Sequence, residues 1–308
     1  MIKKHKYVRD WCWLLLCFFC AACNNNTSTE PTDSYKQGTI HISCDESFKP
    51  VIDAEIEVYE ASFPDTKIIA HYKPEADCLK DFWVDSIRMV IATRGFTEPE
   101  RKLIIDSVKV GPVMEKVARD AIAVIVHPNN PDSFFTMNEI RDLVSGKLKE
   151  NLIPVFDGLK ATSTVRFMID SVLKGGSLGP NVVAAQNSES VIDYVSKTPN
   201  AVGFIGVSWV GNKEDTSQQS FLKKIRIARI ESTDSANAYV LPVQYLIYTK
   251  TYPMVRDLVY VLREQEFGLG GAFANFLKSE RGQLIFRRAY LQPAIRPFYV
   301  RRAELKEK

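Results

Sequence analysis

The stretch from Ala118 to Val126 constrains the fold of this chain more than any other part of it. Apart from Arg119 and Asp120 it is wholly apolar, running Ala-Ile-Ala-Val-Ile-Val from Ala121 onward. A strand with one face in water alternates polar and apolar side chains. One that does not alternate has to be covered on both faces, as the inner strand of a sheet with helices on either side is. The composition allows such a core: 308 residues, 45% hydrophobic and 25% charged, describe a soluble globular protein with room for one large domain or two ordinary ones.

The patterning on either side of this strand alternates between two periods. Residues 39–43 alternate as a short strand, and 47–62 repeat apolar side chains at helical spacing through Phe48, Val51, Ile52, Ile56 and Tyr59. Residues 66–72 form a second strand, 75–86 a helix and 88–92 a third strand. Thr97-Glu-Pro-Glu100 combines a capping box with an early proline and so opens a helix. Beyond Val126, the sequence His127-Pro-Asn-Asn-Pro131 breaks the chain and Thr136-Met-Asn-Glu139 caps a helix that runs to Gly146. Strands follow at 153–156 and 201–207, with amphipathic helices at 165–173 and 188–197. Residues 212–220 read as a surface loop, 239–249 as a strand, and 253–264 and 270–290 as helices. Strands alternating with helices imply an α/β layout with parallel strands.

Four of the six cysteines lie within the first 23 residues. Lys3, Lys4, Lys6 and Arg9 form a cationic start, residues 11–22 are apolar and uncharged, and Ala21-Ala22 precede Cys23. The run is short for a spanning helix, and its flanks suit a cleaved secretory signal. Cys20-Ala-Ala-Cys23 resembles the lipobox of bacterial lipoproteins, with Cys20 where that motif more often has Leu. The resemblance implies a signal over 1–22, lipidation at Cys23, a flexible tether over 23–37, and a mature chain held outside the cytoplasm on a bacterial membrane, the periplasmic side being expected. An ordinary signal peptide or a single anchoring helix is the alternative. The net charge of +3 belongs to residues 1–22, where four cations face Asp10 alone; the remainder is formally neutral. It therefore lacks the basic surface that nucleic-acid binding needs.

Catalytic signatures are weak. Gly206-Val-Ser-Trp-Val-Gly211 is one residue off the Gly-x-Ser-x-Gly elbow of hydrolases, and Gly268-Leu-Gly-Gly271 lacks the third glycine of a dinucleotide fingerprint. The reading is of a chain that is not an enzyme and needs no cofactor. Cys44 and Cys78 remain outside the signal. They could pair in an oxidising compartment or stay free, and with His41 and His71 they match no zinc spacing.

What remains is a set of Ser/Thr-bearing turns that follow strands and lead into helices: Ser47-Phe48, Thr93-Arg94, and Thr162-Ser163-Thr164 with Arg166 in the helix that follows. Helix starts present free N–H groups and the positive end of the dipole, so they suit anions. An arginine in a first turn opposes that dipole, and a bound oxyanion would turn the opposition into a charge-assisted contact.

These turns lie within a longer likeness. Ala92-Thr-Arg-Gly-Phe-Thr-Glu-Pro-Glu100, Arg119-Asp-Ala-Ile-Ala-Val-Ile-Val-His-Pro-Asn-Asn-Pro131, Ser163-Thr-Val-Arg-Phe167, Ala201-Val-Gly-Phe204, Tyr252-Pro-Met-Val-Arg256 and Ser279-Glu-Arg-Gly-Gln283 occur in that order. Together they resemble the phosphate-type substrate-binding proteins of ABC importers, with the type II periplasmic binding protein fold. The resemblance implies two α/β lobes, each a mixed sheet flanked by helices, joined by two crossover strands. It puts lobe I at 38–116 with 240–308 and lobe II at 117–239. It further implies a monomer that captures inorganic phosphate or a related oxyanion for an ABC permease. Carried over by position, Ser47, Phe48, Thr93, Arg94, Thr162, Ser163, Thr164 and Arg166 are the expected ligand-binding residues. The chain departs from the family where Thr93-Arg94 replaces Ser-Asp, where Lys73-Pro-Glu-Ala-Asp77 replaces a Ser-rich turn, and where Glu46 stands beside the first turn. Glu46 would need protonation or a partner, Arg94 for example. The rival reading is a lipoprotein of the same fold whose site no longer binds and which acts as a sensor or assembly partner.

Overall fold

The computed structural model describes residues 33–109, 111–148, 151–264 and 268–295. The expected signal, Cys23 and the tether as far as residue 32 lie outside them. β1 (Gln37–Asp45) leads through a 3-10 turn, Glu46–Phe48, into α1 (Lys49–Ser62). β2 (Asp65–Lys73), α2 (Glu75–Asp81), β3 (Ile87–Ala92) and α3 (Glu98–Val108) follow. After β4 (Val113–Val126) come β5 (Phe134–Phe135), α4 (Met137–Ser145) and β6 (Ile153–Phe156). α5 (Ser163–Phe167) continues as a π-helical turn over Met168–Val172, then β7 (Val183–Ala184), α6 (Ser188–Lys197) and β8 (Ala201–Gly206). α7 (Thr216–Leu222), β9 (Arg226–Ile227), β10 (Arg229–Glu231), β11 (Tyr239–Val240) and α8 (Gln244–Tyr248) precede β12 (Val255–Leu262). α9 (Leu269–Lys278), α10 (Glu280–Arg288) and β13 (Gln292–Pro293) end the described chain.

The main sheet has the order β2-β1-β3-β12-β4-β8-β6-β7, with β9 and β13 also pairing to β4. β1 is parallel to β2 and β3, while β12 runs antiparallel between β3 and β4. β4 links the two halves of this sheet. β4 pairs with β12 from Val113 to Ala121 and with β8 from Ile122 to Val126, so it passes from one sheet region into the other. Ala118 and every residue from Ala121 to Val126 are fully buried, as an unalternating strand requires. α1 packs Val51, Ile52 and Tyr59 on the β1 side, and α6 packs Val191, Ile192 and Val195 against β8.

Local chemistry sets the helix ends. Thr97 with Glu100 and Thr136 with Glu139 form capping boxes, and Gly146 closes α4 at φ 74°, a left-handed position that suits glycine. Five expectations need correction. Residues 253–264, expected as a helix, hold the strand β12: Val255, Val259 and Val261 are β-branched, Arg256, Leu258 and Tyr260 are buried on one face, and two strands flank them. The strand expected over 239–249 is two residues long, and beyond Pro242 the chain turns into α8. The loop expected over 212–220 holds α7, capped by Asp215, whose carboxylate accepts from Ser217 N and Gln218 N. The helix expected over 270–290 is two, divided at Ser279, which caps the second. Residues 33–36, placed in the expected tether, are tied to the body: Asp33 pairs with Arg88 at 2.7 Å and accepts from Leu269 N at 2.9 Å.

Candidate functional site

Two of the turns singled out from sequence, Ser47-Phe48 and Thr162-Ser163-Thr164, meet where β1, β6, β8 and β12 bring their ends together. Ser47 enters from the turn after β1. Its hydroxyl lies 3.3 Å from Ser163 Oγ, at the start of α5, and donates to Asp157 Oδ2 at 3.4 Å, just beyond β6. Thr162 is the N-cap of α5, its hydroxyl accepting from Val165 N at 3.2 Å. Ser47, Phe48, Thr162, Ser163 and Thr164 are all buried and form one cluster.

The cation of this cluster is Arg256 on β12, a residue without an assigned role in the sequence reading. Its Nε donates to Asp120 Oδ2 at 2.8 Å, and its Nη1 donates to Ser163 Oγ at 2.8 Å and Thr164 Oγ1 at 3.2 Å. The guanidinium lies 5.0 Å from the centre of the Phe48 ring, within cation–π range. Its Nη2 is buried without a hydrogen-bond partner. Gly206 permits this packing, because a Cβ there would come within 3.1 Å of Nη2 and 3.0 Å of the Ser47 carbonyl.

Thr93 and Arg166 meet elsewhere, at Glu75 in the first turn of α2. The Glu75 carboxylate accepts from Thr93 N at 2.9 Å and from Arg166 Nε at 2.6 Å and Nη2 at 3.4 Å, and the Thr93 hydroxyl also donates to it. Arg166 Nη2 donates to Thr93 Oγ1 at 2.7 Å. Burial works to raise the Glu75 carboxyl, and the Arg166 and Thr93 hydrogen bonds outweigh it, so it sits below the usual carboxylate range. Arg94 turns away from the cluster and pairs with Glu100 at 2.9 Å. Glu46 does not meet Arg94; its carboxylate accepts from Ser188 Oγ at 2.8 Å and Ser188 N at 3.2 Å, at the start of α6.

The acids outnumber the cation. Asp45, Asp120 and Asp157 surround the single guanidinium of Arg256, and burial pushes Asp45 up to about 7 and raises Asp120 and Asp157. Burial likewise takes Glu46 to about 7. Asp45 Oδ2 and Asp157 Oδ1 are buried without partners, and both residues line a cleft of about 320 Å³ bounded also by Glu46, Lys49, Lys73 and Trp209. Among the described residues no group of three His, Cys, Asp or Glu is placed to hold a metal, and Cys44 and Cys78 are buried and free. Ser208 is committed to structure: its hydroxyl donates to the Ser47 carbonyl at 3.2 Å, beside Trp209 Nε1 at 3.1 Å.

The family described as "PBP superfamily domain" matches residues 28–281. The phosphate-binding protein PstS of Pseudomonas aeruginosa is 25% identical over 198 residues, which are 56% of this chain and 58% of that protein. A substrate-binding protein from Clostridium perfringens solved with bound phosphate superposes with a TM-score of 0.68 at 22% identity, over 83% of this chain and all of that one. An ABC-type phosphate transport receptor from Vibrio cholerae gives 0.60 at 17% identity, over 82% and 99%. At these identities the structural likeness shows the fold. Among the described residues no helix is long and apolar enough to cross a membrane.

Proposed function

The chain belongs to the PBP superfamily, and on that premise we propose that it is an extracytoplasmic solute-binding lipoprotein that captures inorganic phosphate or a related oxyanion and delivers it to an ABC permease. The observation that carries this reading is the gathering of the Ser47, Ser163 and Thr164 hydroxyls at the buried Arg256 guanidinium, where the turn after β1 faces the start of α5. Hydroxyls and a guanidinium withdrawn from water are the donors an oxyanion needs, and no covalent step is required. The sheet regions on either side of β4 act as the two lobes, 38–116 with 240–308 and 117–239, and the chain works as a monomer. Ser47 Oγ and Ser163 Oγ lie 3.3 Å apart, so the ligand is admitted when the lobes part and is buried when they close, a hinge motion. Lipid at Cys23 holds the protein on the membrane beside its permease.

Equilibrium dialysis of the purified protein against radiolabelled phosphate tests the ligand. Saturable retention is expected; none, on folded and ligand-free protein, overturns the phosphate reading and favours a sensor or assembly role. For the anchor, Cys23→Ala is expected to move the protein from the membrane to the soluble fraction, and a variant that stays membrane-bound contradicts lipidation.

A further inference from the structure

Glu75 differs from the acids that line the cleft in what it touches. Its side chain is 2% exposed, and every hydrogen bond described for it comes from a donor that the resemblance would give to a ligand: the amide and hydroxyl of Thr93 and the guanidinium of Arg166. A backbone N–H, a hydroxyl and a two-pronged guanidinium on one carboxylate are the contacts of a bound oxyanion. The contact also bridges the fold. Glu75 opens α2, in the sheet region of β1 to β3, while Arg166 lies in α5, packed with the region of β6 and β8, 91 residues away in sequence. Beside it Ala76 N donates to the Ala161 carbonyl at 2.9 Å, joining the same two regions through the backbone.

We propose that Glu75 is a resident competitor for the oxyanion, a specificity-determining residue whose carboxylate occupies the Thr93 and Arg166 donors and latches the two sheet regions together until a ligand displaces it. The competition half of this rests on the oxyanion reading above; the latch half rests on the geometry alone. A neutral amide in place of the carboxylate keeps the shape of the side chain and removes the charge that holds Arg166. The two regions then part more readily, and the Thr93 and Arg166 donors are free to join the Arg256 cluster around one ligand. The latch also sets a threshold. A weakly held or singly bonded anion cannot replace a carboxylate that already accepts four hydrogen bonds, so the wild-type protein discriminates for ligands with several acceptor oxygens.

Glu75→Gln in the full chain is the test, with Arg166→Gln as the second variant, which releases the same contact from the opposite side. Small-angle scattering of ligand-free protein reads the latch, and calorimetric titration with inorganic phosphate reads the competition. The expected result is a compact wild type, a larger radius of gyration for both variants, and phosphate binding at least about tenfold tighter in Glu75→Gln, as for the loss of one competing charge-assisted contact. Expansion of the variants with no phosphate binding by any form supports the latch and overturns the phosphate reading instead. Unchanged scattering, with phosphate affinity equal or lower in Glu75→Gln, overturns the proposal.

Discussion

Arg256 is the residue on which the cleft turns, and the one hardest to find in the sequence. Ser47, Ser163 and Thr164 are legible because strand ends followed by Ser/Thr and a helical pattern announce anion-suited turns. Arg256 lies in the segment 253–264 read as a helix, where an arginine passes for a solvated one. Its burial follows only once β3 and β4 flank β12, and that pairing joins residues far apart in sequence. Buried beside Asp120 at 2.8 Å, it has an energetic signature. Arg256→Met leaves Asp120 without its partner and is expected to lower stability by about 3–5 kcal/mol, whereas Arg256→Met with Asp120→Leu regains most of the loss. Urea denaturation of the two variants checks this. A single variant as stable as wild type would contradict the ion pair.

Among the elements, those with chemical punctuation were legible and those defined by their neighbours were not. α4 was read with its ends because Thr136 and Glu139 cap it and Gly146 stops it. Thr136→Ala removes a hydroxyl that accepts from Glu139 N at 3.1 Å, and is expected to cost about 1 kcal/mol in urea denaturation. A loss under a few tenths would mean that the capping box does not hold the helix start. Residues 254–262 carry apolar side chains at both periods, Met254, Leu258 and Val261 for a helix and Leu258, Tyr260 and Leu262 for a strand. Their place between two strands decides the matter, a tertiary effect that overrides local pattern. α7 was missed although Asp215-Thr-Ser-Gln carries a usable cap, because its polar composition reads as a loop.

At the scale of the whole molecule, the buried acids set how the fold answers to pH. A carboxyl whose value is higher folded than unfolded takes up a proton on folding; its stabilising share is complete below about pH 4 and is lost as pH rises through the folded value. Asp45 and Glu46, pushed up to about 7, are of this kind, as are Asp120, Asp157 and the partnerless, fully buried Glu55. Glu100, which its hydrogen bond with Arg94 holds at about 2, and Glu75 act oppositely, stabilising above the unfolded value and failing in acid. The expectation is a thermal midpoint highest near pH 5–6 and lower by at least ~3 °C at pH 8, measured by calorimetry. A midpoint that climbs through pH 8 would contradict the burial of these acids. Capture depends on where an oxyanion sits. Crystals of the purified protein grown with arsenate, a heavier analogue of phosphate, would give an anomalous difference map at the arsenic edge. The predicted peak lies within hydrogen-bonding range of Ser47 Oγ and the Arg256 guanidinium. A peak elsewhere in the molecule, or none at saturating arsenate, would contradict the assignment of this cleft as the capture site.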